Sequence, residues 1–433
     1  MTPASHEPAV DRLRQTIDVS IVMPCLNEIL SLEHCINNAL EALAAMQSEL
    51  GLIGEIVIAD NGSTDGSQAL AARLGARVVP VSRRGYGAAL IGGCTAANGR
   101  YIVMGDCDGS YDFRESVGMV ATLVDGAELC MGSRFKGGIK PGAMPWKNRY
   151  IGNPVLTGVL NILFRTGISD AHCGLRAFTR DCFDKLGLTG SGMEFASEMV
   201  IKASLLGCRI AERPATLSPD LRDRPPHLRP WRDGWRHLRY LFMLSPTWLF
   251  AIPAALMALF AVAIFGKALS VAMSGATGLS TIGNYWTIAA GAMLSVAHIT
   301  AILAVASHLY GVREGYRKAS RGTAFLARWV TLESMLIGGL ALLALGGLTL
   351  GLVVGYWSVN RYAAISNVLP AVFGTSLLAI GMQNALGGFL LAIVAGNEAE
   401  FLKAPVADVA KPTVGVTEKQ PEQPRQRAYA GGR

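Results

Sequence analysis

Asp106 and Asp108 stand one residue apart in Tyr101–Phe113 (YIVMGDCDGSYDF), directly after a short apolar run. Two carboxylates held rigidly at a strand end suit a hard divalent cation such as Mg²⁺ or Mn²⁺, which keeps several water and phosphate oxygens as further ligands. A lone Asp-x-Asp also occurs in many turns, so the pair gains meaning only from comparable signals elsewhere. There are two. Pro24-Cys25-Leu26-Asn27-Glu28 follows the opening apolar run, and Asp60–Ser67 (DNGSTDGS) follows the next. Asp60 is able to accept from the N–H of a base, and Gly62 and Gly66 permit tight backbone turns. Taken singly, each segment is equally well explained as turn chemistry between strand and helix. Three such ends in order are far more specific.

Those ends need a scaffold. Asp18–Pro24 (DVSIVMP), Glu55–Asp60 (EIVIAD) and Arg100–Met104 (RYIVM) read as strands, with helical patterns at Ile29–Met46 and Gln68–Leu74. The alternation predicts βαβ units and a mostly parallel sheet. Such sheets bind ligands beyond the carboxyl ends of their strands.

Charge divides the chain. Acids and bases are dense up to Arg239, then absent between Arg239 and Lys267, Lys267 and Arg313, Glu333 and Arg361, and Arg361 and Glu398. A spanning helix needs about 20 mostly apolar residues, which predicts four spans: Pro246–Phe265, Trp286–His308, Met335–Trp357 and Leu369–Ala395. Arg313, Arg317, Lys318, Arg321 and Arg328 crowd the loop after the second span, whereas the other two loops carry little charge. The positive-inside rule then puts that loop, the N-terminal domain and the tail in the cytoplasm, with the chain in the cell (inner) membrane. The opening twenty residues carry charge and no apolar stretch, which reads as no signal peptide. His298, inside the second span, is either a functional polar group or an imidazole bonded to a neighbouring helix.

The net charge of +7 gathers beside the apolar runs, at His227–Arg239 and Arg313–Arg328, and reads as attraction to a membrane surface rather than to nucleic acid. All eight cysteines lie before Arg239 and none forms a Cys-x-x-Cys pair, which argues for buried reduced thiols rather than zinc or redox chemistry.

With three strand ends of this polarity, the sequence resembles glycosyltransferase family 2, the inverting GT-A group. The resemblance implies an α/β, Rossmann-like nucleotide-sugar domain followed by an α-helical membrane domain of four spans. It implies that Asp60 contacts the base and that Asp106 and Asp108 hold the metal on the donor diphosphate. Asn61 replaces a second Asp usual in the family. Arg83-Arg84-Gly85-Tyr86-Gly87-Ala88-Ala89 resembles the family's basic segment before a helix, where N-terminal N–H groups suit phosphate; a solvated basic turn is the alternative. Donor-binding residues are expected at Pro24, Asn27, Glu28, Asp60, Asn61, Arg84, Gly85 and Asp106.

The resemblance narrows to the polyprenyl-phosphate branch, which includes dolichyl-phosphate mannosyltransferases, through Gly132–Phe135 (GSRF), Asn148-Arg149, Asp170–Phe178 (DAHCGLRAF) and Arg222–Arg239. It implies that Arg134, Arg149, Arg176 and Arg224 bind the acceptor phosphate, with Arg134 and Arg149 counted as catalytic alongside the two aspartates. Guanidinium suits that task because it forks onto phosphate oxygens. Tyr150–Phe164 and Asp233–Leu244 are expected as an amphipathic pair at the interface. A phosphomonoester is already anionic near neutral pH, so no general base is required. Glu194 and Glu198 are placed either on the donor sugar or in structural hydrogen bonds. The expected organisation is a flexible N-terminus (1–15), a cytoplasmic GT-A domain (16–226), a juxtamembrane helix (227–245), four spans (246–397) and a disordered tail (398–433).

The expected reaction moves a sugar from a UDP- or GDP-linked donor to dolichyl or undecaprenyl phosphate, and a homo-oligomer is compatible with it. Two rivals exist. A polysaccharide synthase would carry Gln-x-x-Arg-Trp, which Arg229–Trp235 lacks; a non-catalytic nucleotide-binding subunit of a lipid transporter would not need the intact Asp106/Asp108 pair.

Overall fold

The structure, a computed structural model, describes residues 17–222, 230–274, 283–318, 330–363 and 367–397. Arg224 and the N- and C-terminal segments lie outside those residues.

The strands are β1 (Val19–Cys25), β2 (Gly54–Asp60), β3 (Arg77–Pro80), β4 (Tyr101–Met104), β5 (Leu129–Ser133), β6 (Arg176–Thr179) and β7 (Ile210–Pro214). They form one sheet in the order β3-β2-β1-β4-β6-β5-β7. Every pairing is parallel except those of β6, which runs antiparallel to both β4 and β5. The sheet is therefore mostly parallel, as the alternation predicts.

Helices cover both faces, which is why β1 is apolar almost throughout. Val19, Ile21 and Met23 pack with Leu32, Ile36 and Met46 of α1 (Ile29–Leu50) and Val120 of α4 (Ser116–Val124). Val22, Val57 and Ile102 face the other layer. It is built from α3 (Tyr86–Ala96), α6 (Asn153–Phe164), α7 (Arg180–Leu186) and α8 (Phe195–Leu205). Two short helices, α2 (Ser67–Arg73) and α5 (Arg134–Gly137), follow β2 and β5.

The parallel register brings motif ends together. Cys25 pairs with Asp60, and Val22 with both Val57 and Met104. The loops after β1, β2 and β4 thus emerge along one edge.

The amphipathic helix α9 (Pro230–Met243) docks on this domain through Leu241 and, just past its end, Leu244, while Trp235 and Met243 stay exposed. The expected helix at Tyr150–Phe164 begins later: a wide π-type turn, Asn148–Gly152, precedes α6.

Four helices follow that are long and apolar enough to cross a membrane: Thr247–Met273, containing α10 (Ile252–Met273), then α11 (Asn284–Arg313), α12 (Leu332–Val359) and α13 (Leu369–Ala395). The first runs eight residues beyond the expected Phe265 end, because Lys267 is tolerated near the terminus. α12 and α13 pack backbone to backbone. A Cβ on Gly339 would lie 2.8 Å from Gly381 O, and one on Gly346 2.9 Å from Gly374 O. Small residues permit that approach where lipid gives no hydrophobic drive. His298 borders a cavity of ≈ 430 Å³ lined mainly by alanines such as Ala254, Ala258 and Ala301; its Nε2 has no partner among the described residues.

Candidate active site

The sheet edge is wired together by its own loops. Asn27, held at φ 58°, accepts from Thr64 N through Oδ1 at 2.8 Å and donates its N–H to Ser63 Oγ at 3.0 Å. Pro24 O accepts from the Cys107 thiol at 2.8 Å, tying β1 to the loop after β4. Ser31 Oγ donates to Cys107 O at 2.6 Å. The loop bearing both aspartates is thus fixed from two sides.

Asp60 is buried and accepts from Gly62 N, Ser63 N and the Gln68 amide, the last at 2.7 Å. Asn61 is a three-way clamp. Its amide N–H₂ donates to Val81 O at 2.9 Å and Arg83 O at 2.8 Å, and its Oδ1 accepts from Gly85 N at 2.8 Å. Aspartate there would face two carbonyls with no proton to offer. The amide is what this basic loop requires. Arg84 donates Nη1–H to Asn61 O at 2.8 Å and lies over Gly62.

Gly85 and Gly87 open α3 against Ser191 O and Gly190 O, so closely that a Cβ at either would collide. The opposing loop is held by Glu198, whose buried carboxylate accepts from Thr189 N and Gly190 N and pairs with Lys202 at 2.8 Å. Glu194 accepts from Gly192 N at 2.9 Å, with its second oxygen buried and unpartnered among the described residues.

Asp106 Oδ1 accepts from the Tyr86 hydroxyl at 2.9 Å. A Cβ on Gly174 would lie 2.6 Å from Oδ2 of the same carboxylate, so only glycine leaves it room. Burial, then the charge of Asp108, push Asp106 up to about 6. Asp108 accepts from Ser110 N at 3.0 Å and meets Arg222 Nη1 at 3.3 Å. Arg222 also forks onto Glu28, Nε to Oε2 at 3.0 Å and Nη2 to Oε1 at 2.9 Å. The residues fit a divalent cation: they offer two hard oxygen donors on one loop, and burial together with their mutual repulsion raises the first, a conflict that a cation relieves.

Arg134 and Asp170 form a buried bidentate pair, Nε to Oδ2 at 2.7 Å and Nη2 to Oδ1 at 2.8 Å. The guanidinium holds the Asp170 carboxyl below its ordinary value despite burial. Nη1 lies outside that fork. Arg149 is half-buried, 5.4 Å from the centroid of the Tyr150 ring. Arg176 departs from the expectation. It is fully buried and donates to Cys173 O, Ala196 O and Ala171 O at 2.9, 2.7 and 3.0 Å, bracing the Ala171–Gly174 turn that abuts Asp106. Three of its five N–H donors meet backbone carbonyls in a fully buried setting, which marks it as a brace for this turn.

Comparison with known proteins decides what this arrangement belongs to. Residues 20–187 match the family described as Glycosyl transferase family 2, and residues 305–395 match the Glycosyltransferase family 2 C-terminal transmembrane region. The low-salt glycan biosynthesis hexosyltransferase Agl6 of Haloferax volcanii is 35% identical over 376 residues, 86% of this chain and 88% of that protein. The chain belongs to glycosyltransferase family 2.

Other family 2 relatives include a dolichyl-phosphate hexose transferase of Haloferax volcanii, 27% identical over 46% of this chain and 81% of that protein. Among solved structures, glucosyl-3-phosphoglycerate synthase of Mycobacterium tuberculosis, in complex with Mn²⁺, UDP and glucosyl-3-phosphoglycerate, is similar over 55% of this chain and 84% of that one. The identity there is 20% and the TM-score 0.39. By its family matches and its likeness to Agl6, this protein is a glycosyltransferase with a mostly parallel α/β domain and a family 2 membrane region. Within it, Arg222, Tyr86 and Asp170 are functional candidates that stood inside the quoted motifs without an assigned role. Their signal was the spacing to a partner tens of residues away, visible only once the chain is folded.

Proposed function

We propose that this enzyme transfers a hexose from a nucleotide-sugar to a polyprenyl phosphate, by metal-dependent inverting displacement. One observation carries the lipid acceptor. The segment from Trp146 through α6 turns Trp146, Tyr150, Ile151, Val155 and Ile162 outward, beside Arg149 and next to α9 with its exposed Trp235. An exposed apolar face bordered by arginine matches the headgroup level of a bilayer. The likeness to a dolichyl-phosphate hexose transferase supports the same reading.

In this reading Asp108 and Asp106 would hold Mg²⁺ or Mn²⁺, which would supply neutralising charge for a diphosphate leaving group. Asn61 and Arg84 set the α3 loop against the donor. Arg134 and Arg149 draw the acceptor phosphate to the anomeric carbon. A phosphate oxygen forms the new C–O bond from the face opposite the leaving group, the old anomeric C–O bond breaks, and nucleoside diphosphate departs. No proton need be removed from the nucleophile.

The GT-A domain, juxtamembrane helix and four-span domain form the proposed organisation, with the catalytic domain cytoplasmic. Arg317 Nη2 donates to Leu244 O at 2.8 Å, and Lys202 lies 5.9 Å from the Tyr316 ring centroid. Tyr316 and Arg317, just after α11, thus lie against the catalytic domain, which supports a reading in which both share one side of the membrane. Incubating membranes with labelled nucleotide-sugars tests the proposal. A single-sugar, mild-acid-labile lipid is expected, whereas label found only in long polymer, or in no lipid, overturns it.

A further inference from the structure

Arg317 lies where α11 meets the catalytic domain, and its charge has no carboxylate partner among the described residues. Nη2 donates to Leu244 O, just past the end of α9, and Nη1 sits 3.4 Å from His308 Nδ1. Nε is buried without a partner among the described residues. Arginine has no acceptor, so His308 Nδ1 must accept here, and a neutral ring then carries its proton on Nε2. That nitrogen is also buried and unpartnered among the described residues. Two orphaned N–H donors thus belong to one linked pair. The C-terminal carbonyls of α9 and α11 offset part of the guanidinium charge, but they leave both donors unmet. Burial accordingly pushes the Arg317 guanidinium below its ordinary value. Buried donors without acceptors are costly and invite an anion.

We propose that Arg317 and His308 form an anion site, separate from Asp106 and Asp108, that binds a phosphate group presented by a lipid headgroup. Position argues for the lipid source: His308 lies in the last turns of a helix long enough to span a membrane, and Arg317 just beyond it. Exposed Arg313 and Lys318 flank the pair and add attraction for an anionic surface. A phosphate there would link bilayer, α11 and the catalytic domain through Leu244.

The test uses the full chain, delipidated in a non-ionic detergent, with melting temperature as readout. Dihexanoyl-phosphatidylglycerol and inorganic phosphate are titrated in separate arms. The lipid is expected to raise the melting temperature saturably. Arg317→Gln and His308→Phe are each expected to weaken half-saturation roughly tenfold or more, and Arg73→Gln, an exposed arginine elsewhere on the catalytic domain, to leave it nearly unchanged. An equal, Arg317-dependent rise with inorganic phosphate supports the anion site and reassigns its source to free phosphate. If Arg317→Gln does not fold, His308→Phe and the wild type decide. No saturable rise in the wild type, or identical titrations in wild type and His308→Phe, overturns the proposal.

Discussion

Tyr86 donates its hydroxyl to Asp106 across 2.9 Å, joining the first turn of α3 to the carboxylate at the end of β4. The bond favours the ionised carboxylate, against burial and Asp108, which hold it up at about 6. Tyr86→Phe removes only that donor. The acid limb of the pH–rate profile is expected to move up by about one pH unit. Because metal competes with the proton, raising Mn²⁺ should move the limb back down. A limb indifferent to both changes would assign the titration to another group.

Asp106→Asn should separate stability from activity. The folded-state value is raised from 3.8 to about 6, so this group's favourable contribution is complete below pH 3.8 and lost as pH rises through 6. At pH 7 the ionised carboxylate costs roughly 3 kcal/mol at most in the metal-free protein. The variant is expected to melt several degrees higher in chelator at pH 7 and to lose transfer. A lower melting temperature in chelator would contradict the assignment.

Asp108→Asn is expected to abolish transfer while the protein still assembles in membranes. Near-normal turnover of this variant in chelator would end the metal proposal.

Arg222 holds Asp108 at 3.3 Å and Glu28 in a fork. Competing with the cation for Asp108, it should weaken metal binding. Arg222→Gln is expected to tighten Mn²⁺ half-saturation about threefold to tenfold, by relief of like-charge repulsion, and to slow turnover. Unchanged or weaker metal dependence would count against this role.

Removing Arg134 would strand buried Asp170, at a cost of about 3–5 kcal/mol, so Arg134→Lys is the informative variant. It keeps charge and loses the fork. Lipid-phosphate KM is expected to rise about tenfold or more, with donor KM unchanged. The opposite split would move Arg134 to the donor side.

Much of the candidate site's position was legible because its residues follow strands at short range. β1, β2 and β4 fall within a residue or two of Asp18–Pro24, Glu55–Asp60 and Arg100–Met104. The four spans were readable from missing charge. What stayed hidden is long-range. β6 turns antiparallel between β4 and β5, and nothing within Arg176–Thr179 announces that direction. Arg176 resembled a phosphate ligand by motif, yet Ala171, Cys173 and Ala196 surround it with carbonyls. Arg222 was one arginine among several, and its fork reaches Glu28, 194 positions earlier.

The glycine contacts of α12 and α13 also predict how the sequence is free to drift. Gly339, Gly346, Gly374 and Gly381 each face a neighbouring backbone or side chain that leaves no volume for a methyl group, whereas a Cβ on Gly347, Gly351 or Gly355 would meet open space. The first four positions should be closed to substitution and the other three permissive, although all seven lie in equally apolar helices. The closed set makes the hairpin behave as one stiff plank, and Gly291 and Gly387 seat α11 on it, which leaves the alanine-lined cavity between α10 and His298 as the slack in the bundle.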